Sequence, residues 1–249
     1  MSHIAQIVFG CLVLLVRGAL ADVTEISTCP YTILQPGQYH IANNLTCRKS
    51  GIDVVASNVQ LHFDGHTLNG MGAGQIGVLV TGSNDRIFGS GTVTNFQFGI
   101  VVESVDENVP TSGNQIVNIT VTNSLSQGIV LINSVQNNII SCTANKNRTD
   151  GIFLGSSSNR NTLISNTASG NGSSGIHLFD DNNNILIANE ADGNGFDGIF
   201  VDFGLSGNLI LANKAVNNSS FDLADSNSNC DSNTWKSNQF RTANQPCIH

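Results

Sequence analysis

Charge is scarce in this chain, and basic charge scarcest: 11% of the 249 residues are charged, ten Lys and Arg against eighteen Asp and Glu, for a formal net charge of −8. Such a surface repels phosphate backbones, which excludes nucleic acid as the expected partner. It also argues against a groove built for polyanionic glycans, unless a bound cation reverses the local field. No long segment carries apolar residues at helical spacing with capping signals, so a helical fold is excluded too. Beyond the first 21 residues no apolar run is long enough to cross a bilayer. No two cysteines stand in C-x-x-C spacing, which removes the usual zinc framework.

What is present begins with an apolar run over residues 4–16, interrupted by Gly10 and followed by Ala19, Leu20 and Ala21. It is shorter than the roughly 20 residues a span needs. It therefore predicts a signal peptide over residues 1–21, although no Lys or Arg precedes the run. The expected product is a secreted single domain over residues 22–249, free of the membrane.

Without Cys11, the remaining cysteines are Cys29 and Cys47 near one end, Cys230 and Cys247 near the other, and Cys142 alone between them. In an oxidising compartment this predicts two end-closing disulfides and an inert, buried Cys142. Sequons at Asn44, Asn118, Asn147, Asn171, Asn217 and Asn218 would make a glycoprotein in a eukaryote. A chain rich in Asn and Ser also produces such triplets by chance.

The plan of the fold lies in a repeat. Gly128, Gly151, Gly175 and Gly198 each open an alternating apolar run, at steps of 23, 24 and 23 residues. A second phrase runs in step, with Asn137, Asn161, Asn184 and Asn208 each opening another apolar run. Two strands per repeat locked to one period predict a solenoid. Alternate residues share a face, so Ile152 and Leu154 point inward and Phe153 outward. One repeat cannot bury its apolar face alone, but stacked coils place Ile over Ile in a continuous core. Gly is expected to take a left-handed or bulged corner, and Asn to stack as a hydrogen-bonding ladder at the next.

The expected fold is an all-β, right-handed parallel β-helix of about eight coils, with an N-terminal cap over 22–50, coils over 51–225 and a C-terminal cap over 226–249. Earlier coils open at Gly51, Gly77 and Gly99, and the step from Gly99 to Gly128 is 29 residues. The excess lies in residues 103–114, which include Pro110 and Gly113. Insertions in solenoids loop out on one face, often the binding face.

The stretch GIDVVASNVQLHFDGHTLNG from Gly51 to Gly70 resembles the first coils of secreted β-helix proteins of the pectin-lyase-like superfamily, in the group that includes NosD-like periplasmic proteins and carbohydrate-active β-helices. The tail CDSNTWKSNQF from Cys230 to Phe240, with Cys247, resembles the closing coil of the same group. The resemblance covers essentially residues 22–249 and implies a groove along one sheet. It also implies, for many relatives, polysaccharide lyase, hydrolase or epimerase chemistry. Repeat motifs specify a fold better than an activity, and the Asp-Pro-His motif of mannuronan epimerases is missing here.

Aligning coils on their glycines turns outward positions into columns. Two residues after Gly the column reads Asp53, Leu79, Val101, Val130, Phe153, His177 and Phe200, with Asp222 in the last coil, which lacks the Gly. Phe179 and Asp202 stand four residues after Gly, and Asp150 and Asp197 immediately before it. The expected site gathers His177, Asp150, Asp197, Asp202, Asp180 and Asp181 with Phe153, Phe179 and Phe200. Aromatic faces beside carboxylates suit a sugar ring and its hydroxyls.

Paired carboxylates suit glycosidases. A lyase or epimerase would cast His177 as the base, and would need Arg148, Lys146 or an Asp-bound calcium ion to stabilise developing charge. His62, Asp64 and His66 are assigned to the structure of the first coils. The expected function is an extracellular carbohydrate-active protein acting on a neutral or weakly acidic glycan. The alternatives are a non-enzymatic surface protein used for adhesion and an enzyme acting on a small molecule.

Overall fold

The computed structural model describes residues 23–249; the signal peptide read over 1–21 and Cys11 lie outside the described residues. The chain winds as an all-β, right-handed parallel solenoid of about nine turns, one more than the glycine count suggested. Every strand pairing is parallel and joins one coil to the next. No described helix is long and apolar enough to cross a membrane.

Each coil has three faces rather than the two expected. The first carries Ile52–Val54, Ile129–Ile132, Ile152–Gly155, Ile176–Phe179, Ile199–Val201 and Leu223–Asp225. The second carries Val59–His62, Asn138–Ile140, Thr162–Ile164, Ile185–Ile187 and Leu209–Leu211. The third is short, as in Thr143–Asn145, and shrinks to single bridges from Thr167 to Glu190 to Lys214. In the later coils it escaped the sequence pattern because its one inward residue is Ala144, Ala168, Ala191 or Ala215, whereas the earlier coils fill the same column with Leu45, Leu68, Val93 and Val121, all buried. A lone alanine makes no visible alternation.

Inward columns form the core. Ile129, Ile152, Ile176, Ile199 and Leu223 stack on the first face, and Ile139, Leu163, Leu186, Ile210 and Trp235 on the second, all buried. Each fully buried aliphatic side chain contributes about 1.5–3 kcal/mol relative to exposure, and the stacking lets every coil bury its neighbour's face. The ends are closed by Cys29–Cys47 and Cys230–Cys247. Cys142 is free and buried.

At the corners, buried backbone N–H groups need acceptors, and asparagines supply them in ladders. Asn161 Oδ1 accepts from Asn137 N at 2.8 Å, Asn184 Oδ1 from Asn161 N at 2.7 Å, and Asn208 Oδ1 from Asn184 N at 2.8 Å. A second ladder runs Asn166, Asn189, Asn213, Asn238, and a third runs Asn147, Asn171, Asn194, Asn218.

The repeating glycines have another role than the one expected. Gly128, Gly151, Gly175 and Gly198 do not adopt positive φ. They sit where coils press together: a Cβ on Gly175 would lie 2.7 Å from Gly198 O and 2.6 Å from Ala168 O.

Candidate functional site

Three outward columns form a groove on the first face. Val101, Val130, Phe153, His177, Phe200 and Ala224 follow one another in register. Beside them run Glu103, Ile132, Gly155 and Phe179, and Asp202 follows, its amide donating to Leu178 O. On the other side, before each glycine, come Phe98, paired with Ile76, and then Gln127, Asp150, Ser174 and Asp197, whose carbonyls accept from the glycine amides of the preceding coil.

The glycine alignment holds through Phe200 and slips in the last coil, where Ala224 rather than Asp222 stands against Phe200. Asp222 takes the corner position that glycine holds elsewhere. Its Oδ1 accepts from Asn218 N at 3.1 Å, and its Oδ2 from Arg241 N at 2.8 Å. With no glycine in that coil, nothing in the sequence fixed its register.

His177 is the centre of the patch. Its ring stacks on Phe200 at 4.8 Å and meets Phe153 edge-on at 5.3 Å and Phe179 at 6.1 Å. Nδ1 faces Asp150 Oδ2 at 3.9 Å and Nε2 faces Asp202 Oδ2 at 3.9 Å. Its side chain is only 17% exposed, and Nε2 is buried without a hydrogen-bond partner. Aromatic neighbours leave the imidazole in a carboxylate–imidazole–carboxylate line with its outer end behind Asp202, whose side chain is 31% exposed.

The other acids divide between groove and framework. Asp150 and Asp197 are buried corner acceptors: Asp150 Oδ1 takes Ser174 N at 3.0 Å and Asp197 Oδ1 takes Phe221 N at 2.8 Å. Burial pushes the Asp197 carboxyl up, opposed by hydrogen bonds from Phe221 and Ser220 and by the charge of His177. Asp180 is exposed and shares a cavity of about 340 Å³ with Asp202, Phe179 and Phe203.

Asp181 turns the other way, fully buried, with Oδ1 accepting from Ser158 N at 2.6 Å. Asp181, expected in the same patch as Asp180, is turned away from it because the chain turns at Asp180, φ 62°. Arg148 and Lys146 are exposed and line none of the groove cavities, so the structure does not bring Arg148 to the patch. Among the described residues, no group of three or more His, Cys, Asp or Glu could hold a metal ion.

Sequence reasoning missed three features. Phe203 forms a wall of the Asp180–Asp202 cavity, outside the strand pattern. Gly155 leaves room for the Phe153 ring, whose Cε1 lies 2.6 Å from where a Cβ would stand. His40, Asp64 and His62 form a separate cluster, with Asp64 Oδ2 2.9 Å from His40 Nδ1 and Oδ1 against His62 Nδ1. His40 and His62 are outward residues in register on adjacent coils, a column alignment that glycine anchoring did not reach.

Known proteins share this architecture. Among curated proteins none matches the sequence. Among solved structures, the A-module of the Azotobacter vinelandii mannuronan C-5 epimerase AlgE6 superposes with a TM-score of 0.69 at 14% identity, over 90% of this chain and 66% of that one. The periplasmic alginate epimerase AlgG gives 0.55 at 18% identity, over 80% and 51%. The Dettilon tailspike protein gives 0.56 at 14%, over 87% and 52%. The chain thus spans about half to two thirds of their lengths, and at such identities the likeness is one of fold. The family described as right handed beta helix region matches residues 50–201 and 108–249, and the chain belongs to it.

Proposed function

We propose that the chain is a secreted carbohydrate-active protein that hydrolyses a neutral glycan lying along the groove. Asp202 and Asp180 would be the carboxyl groups facing the substrate, and His177 would position Asp202. The observation that carries the reading is the shared cavity: two solvent-reaching carboxyl groups beside Phe179 and Phe203, with no Lys or Arg in the lining. Neighbours described as alginate epimerases support a glycan ligand, and the one described as periplasmic, with the two end disulfides, supports export of a domain over 22–249.

Glycoside hydrolysis needs a proton delivered to the leaving oxygen and a base or nucleophile on the other side of the anomeric carbon. In this reading Asp180 protonates the leaving oxygen. Asp202 activates water or attacks, held by His177, which Asp150 anchors from the buried side. The separations of 3.9 Å close with a small rotation of the carboxylates or the ring. Phe179 and Phe200 offer apolar ring faces to the sugar. Removal of a uronate proton would instead call for a cation beside the carboxylate, and no Lys or Arg lines the groove cavities among the described residues.

The test is turnover of a panel of neutral oligosaccharides by the wild type, Asp202→Asn and Asp180→Asn. Each substitution is expected to lower kcat by about a hundredfold or more. Wild-type turnover by both variants would remove the site. Saturable glycan binding without any turnover would establish the adhesive alternative.

A further inference from the structure

The groove changes chemistry along its axis. Around His177 its solvent-reaching polar groups are Asp202 and Asp180, with Asp150, Ser174 and Asp197 buried behind the ring. Two to three coils toward the N-terminus the same three columns become Phe98, Val101, Val130 and Ile132, with Gln127 and Glu103 at the margins. These residues, with Ile76 and Phe153, line a cavity of about 220 Å³. Val101 and Val130 point outward from the sheet yet are only 4% and 5% exposed, set among the larger Phe98, Gln127, Ile132 and Phe153 that line the cavity with them. This is a cleft rather than a flat apolar patch.

Two observations tie the cleft to a ligand reaching the His177 region. Phe153 belongs to both: it lines the apolar cavity and meets the His177 ring edge-on. The inserted loop after Glu103 stands beside the cleft at the Ile132 coil, pinned by Asn133 Nδ2 donating to Glu107 O at 3.1 Å and Asp106 O at 3.3 Å. It carries Val105 and Val109, 84% and 64% exposed. Coils about 4.8 Å apart put Val101 about 14 Å from His177 along the groove, the reach of a short oligosaccharide.

We propose that this cleft is a subsite for an acyl group ester-linked to the glycan, so that the preferred ligand is an O-acylated rather than a bare oligosaccharide. The inference rests on the carbohydrate reading above and names the substrate class within it. The acyl chain leaves water for the contact of Phe98, Val130, Ile132 and Phe153, while the ester and sugar oxygens meet Gln127 and the polar half of the groove. A bare sugar would leave the cleft wet over Phe98, Ile132 and Phe153, which are only partly buried.

The test reads binding, not turnover. Acylated plant cell-wall oligosaccharides, and the same mixture deacylated with mild alkali, are titrated by calorimetry into wild type, Asp202→Asn, Phe98→Ala and Val130→Thr. Val130→Thr keeps the side-chain shape. Methyl 4-fluorobenzoate, followed by fluorine NMR, probes the cleft without any sugar.

The expected result is affinity about tenfold higher for the acylated ligands in wild type and Asp202→Asn. That preference should fall to about twofold or less in Phe98→Ala and Val130→Thr, with the fluorobenzoate signal weakened in the same two variants. Equal affinity for acylated and deacylated ligands, or a preference unchanged in both cleft variants, overturns the inference and leaves the carbohydrate reading standing. Binding of the fluorobenzoate but of neither oligosaccharide mixture overturns the carbohydrate reading, and this inference with it.

Discussion

Asn147 Nδ2 donates to Asn171 Oδ1 at 3.1 Å, while Asn171 Oδ1 also accepts from Asn147 N at 2.9 Å. Both residues belong to sequons, and both are buried. Their amides are committed to the ladder, so a glycan on either is incompatible with the stacked coils. Expressed in a glycosylating host, the protein should carry glycans at Asn44, Asn118 or Asn217, which are exposed, and none at Asn147 or Asn171; glycopeptide mass spectrometry reads this directly. Asn171→Ala removes the acceptor of Asn147 N and the donor to Ala144 O. It should cost about 2–4 kcal/mol, measured by urea unfolding.

Cys142 stands at the head of an asparagine ladder. Its amide donates to Asn166 Oδ1 at 2.9 Å, and its thiol points at Ile116 O at 3.4 Å, as Asn166 Nδ2 points at Ile139 O at 2.8 Å. Burial pushes the thiol up to about 11, so native protein should not react with a thiol reagent at pH 8. Asn fits the position, and Cys142→Asn should raise stability by about 0.5–1.5 kcal/mol in the same unfolding measurement.

Asp85 and Asp181 occupy corner positions of the kind filled elsewhere by asparagine, and each has one oxygen buried without a partner. Burial pushes Asp85 up to about 7 and Asp181 up to about 8, against hydrogen bonds from Val59 to the first and from Ser158 and Phe179 to the second. Their folded pKa values lie above the unfolded ones, so the folded state binds the proton more tightly. Their contribution is therefore full below about pH 4 and lost as pH rises through about 7 to 8. Thermal melts should show wild-type Tm falling over pH 5 to 9. In Asp85→Asn and Asp181→Asn that fall should flatten, with the gain over wild type greatest at the alkaline end.

Gly175 stands where Ala168 O, Gly198 O and Asn194 Nδ2 all crowd a would-be Cβ to 2.6–2.7 Å. Backbone atoms cannot step aside as a side-chain tip can. Gly175→Ala should cost about 2–4 kcal/mol, read as a lowered urea midpoint with an unchanged slope.

Gly155 gives the contrasting case. Its Cβ would meet the tip of Phe153, at 2.6 Å from Cε1 and 2.9 Å from Cζ, and a ring can rotate away. Gly155→Ala should leave stability within about 1 kcal/mol while displacing Phe153 from its contact with His177. Glycan affinity should fall several-fold, and a wild-type affinity would show that Phe153 plays no part in the groove.

The amino-acid sequence alone determined the solenoid, its period, the inward aliphatic columns, the outward order Phe153–His177–Phe200 and the two cysteine pairings. Alternation and repeat length report which residues point in and which coils are adjacent, and that information is local. Only the tertiary structure decided the corners. Asp180 faces the groove and its neighbour Asp181 the interior because of one left-handed residue. Asp222 replaces a glycine instead of aligning beside Phe200, and Arg148 stays out of the groove. In the later coils the third face rests on single alanines, too small to show as a pattern. Corner geometry depends on how the coils press together, so the direction of a corner side chain is set by contacts with residues some 23 positions away.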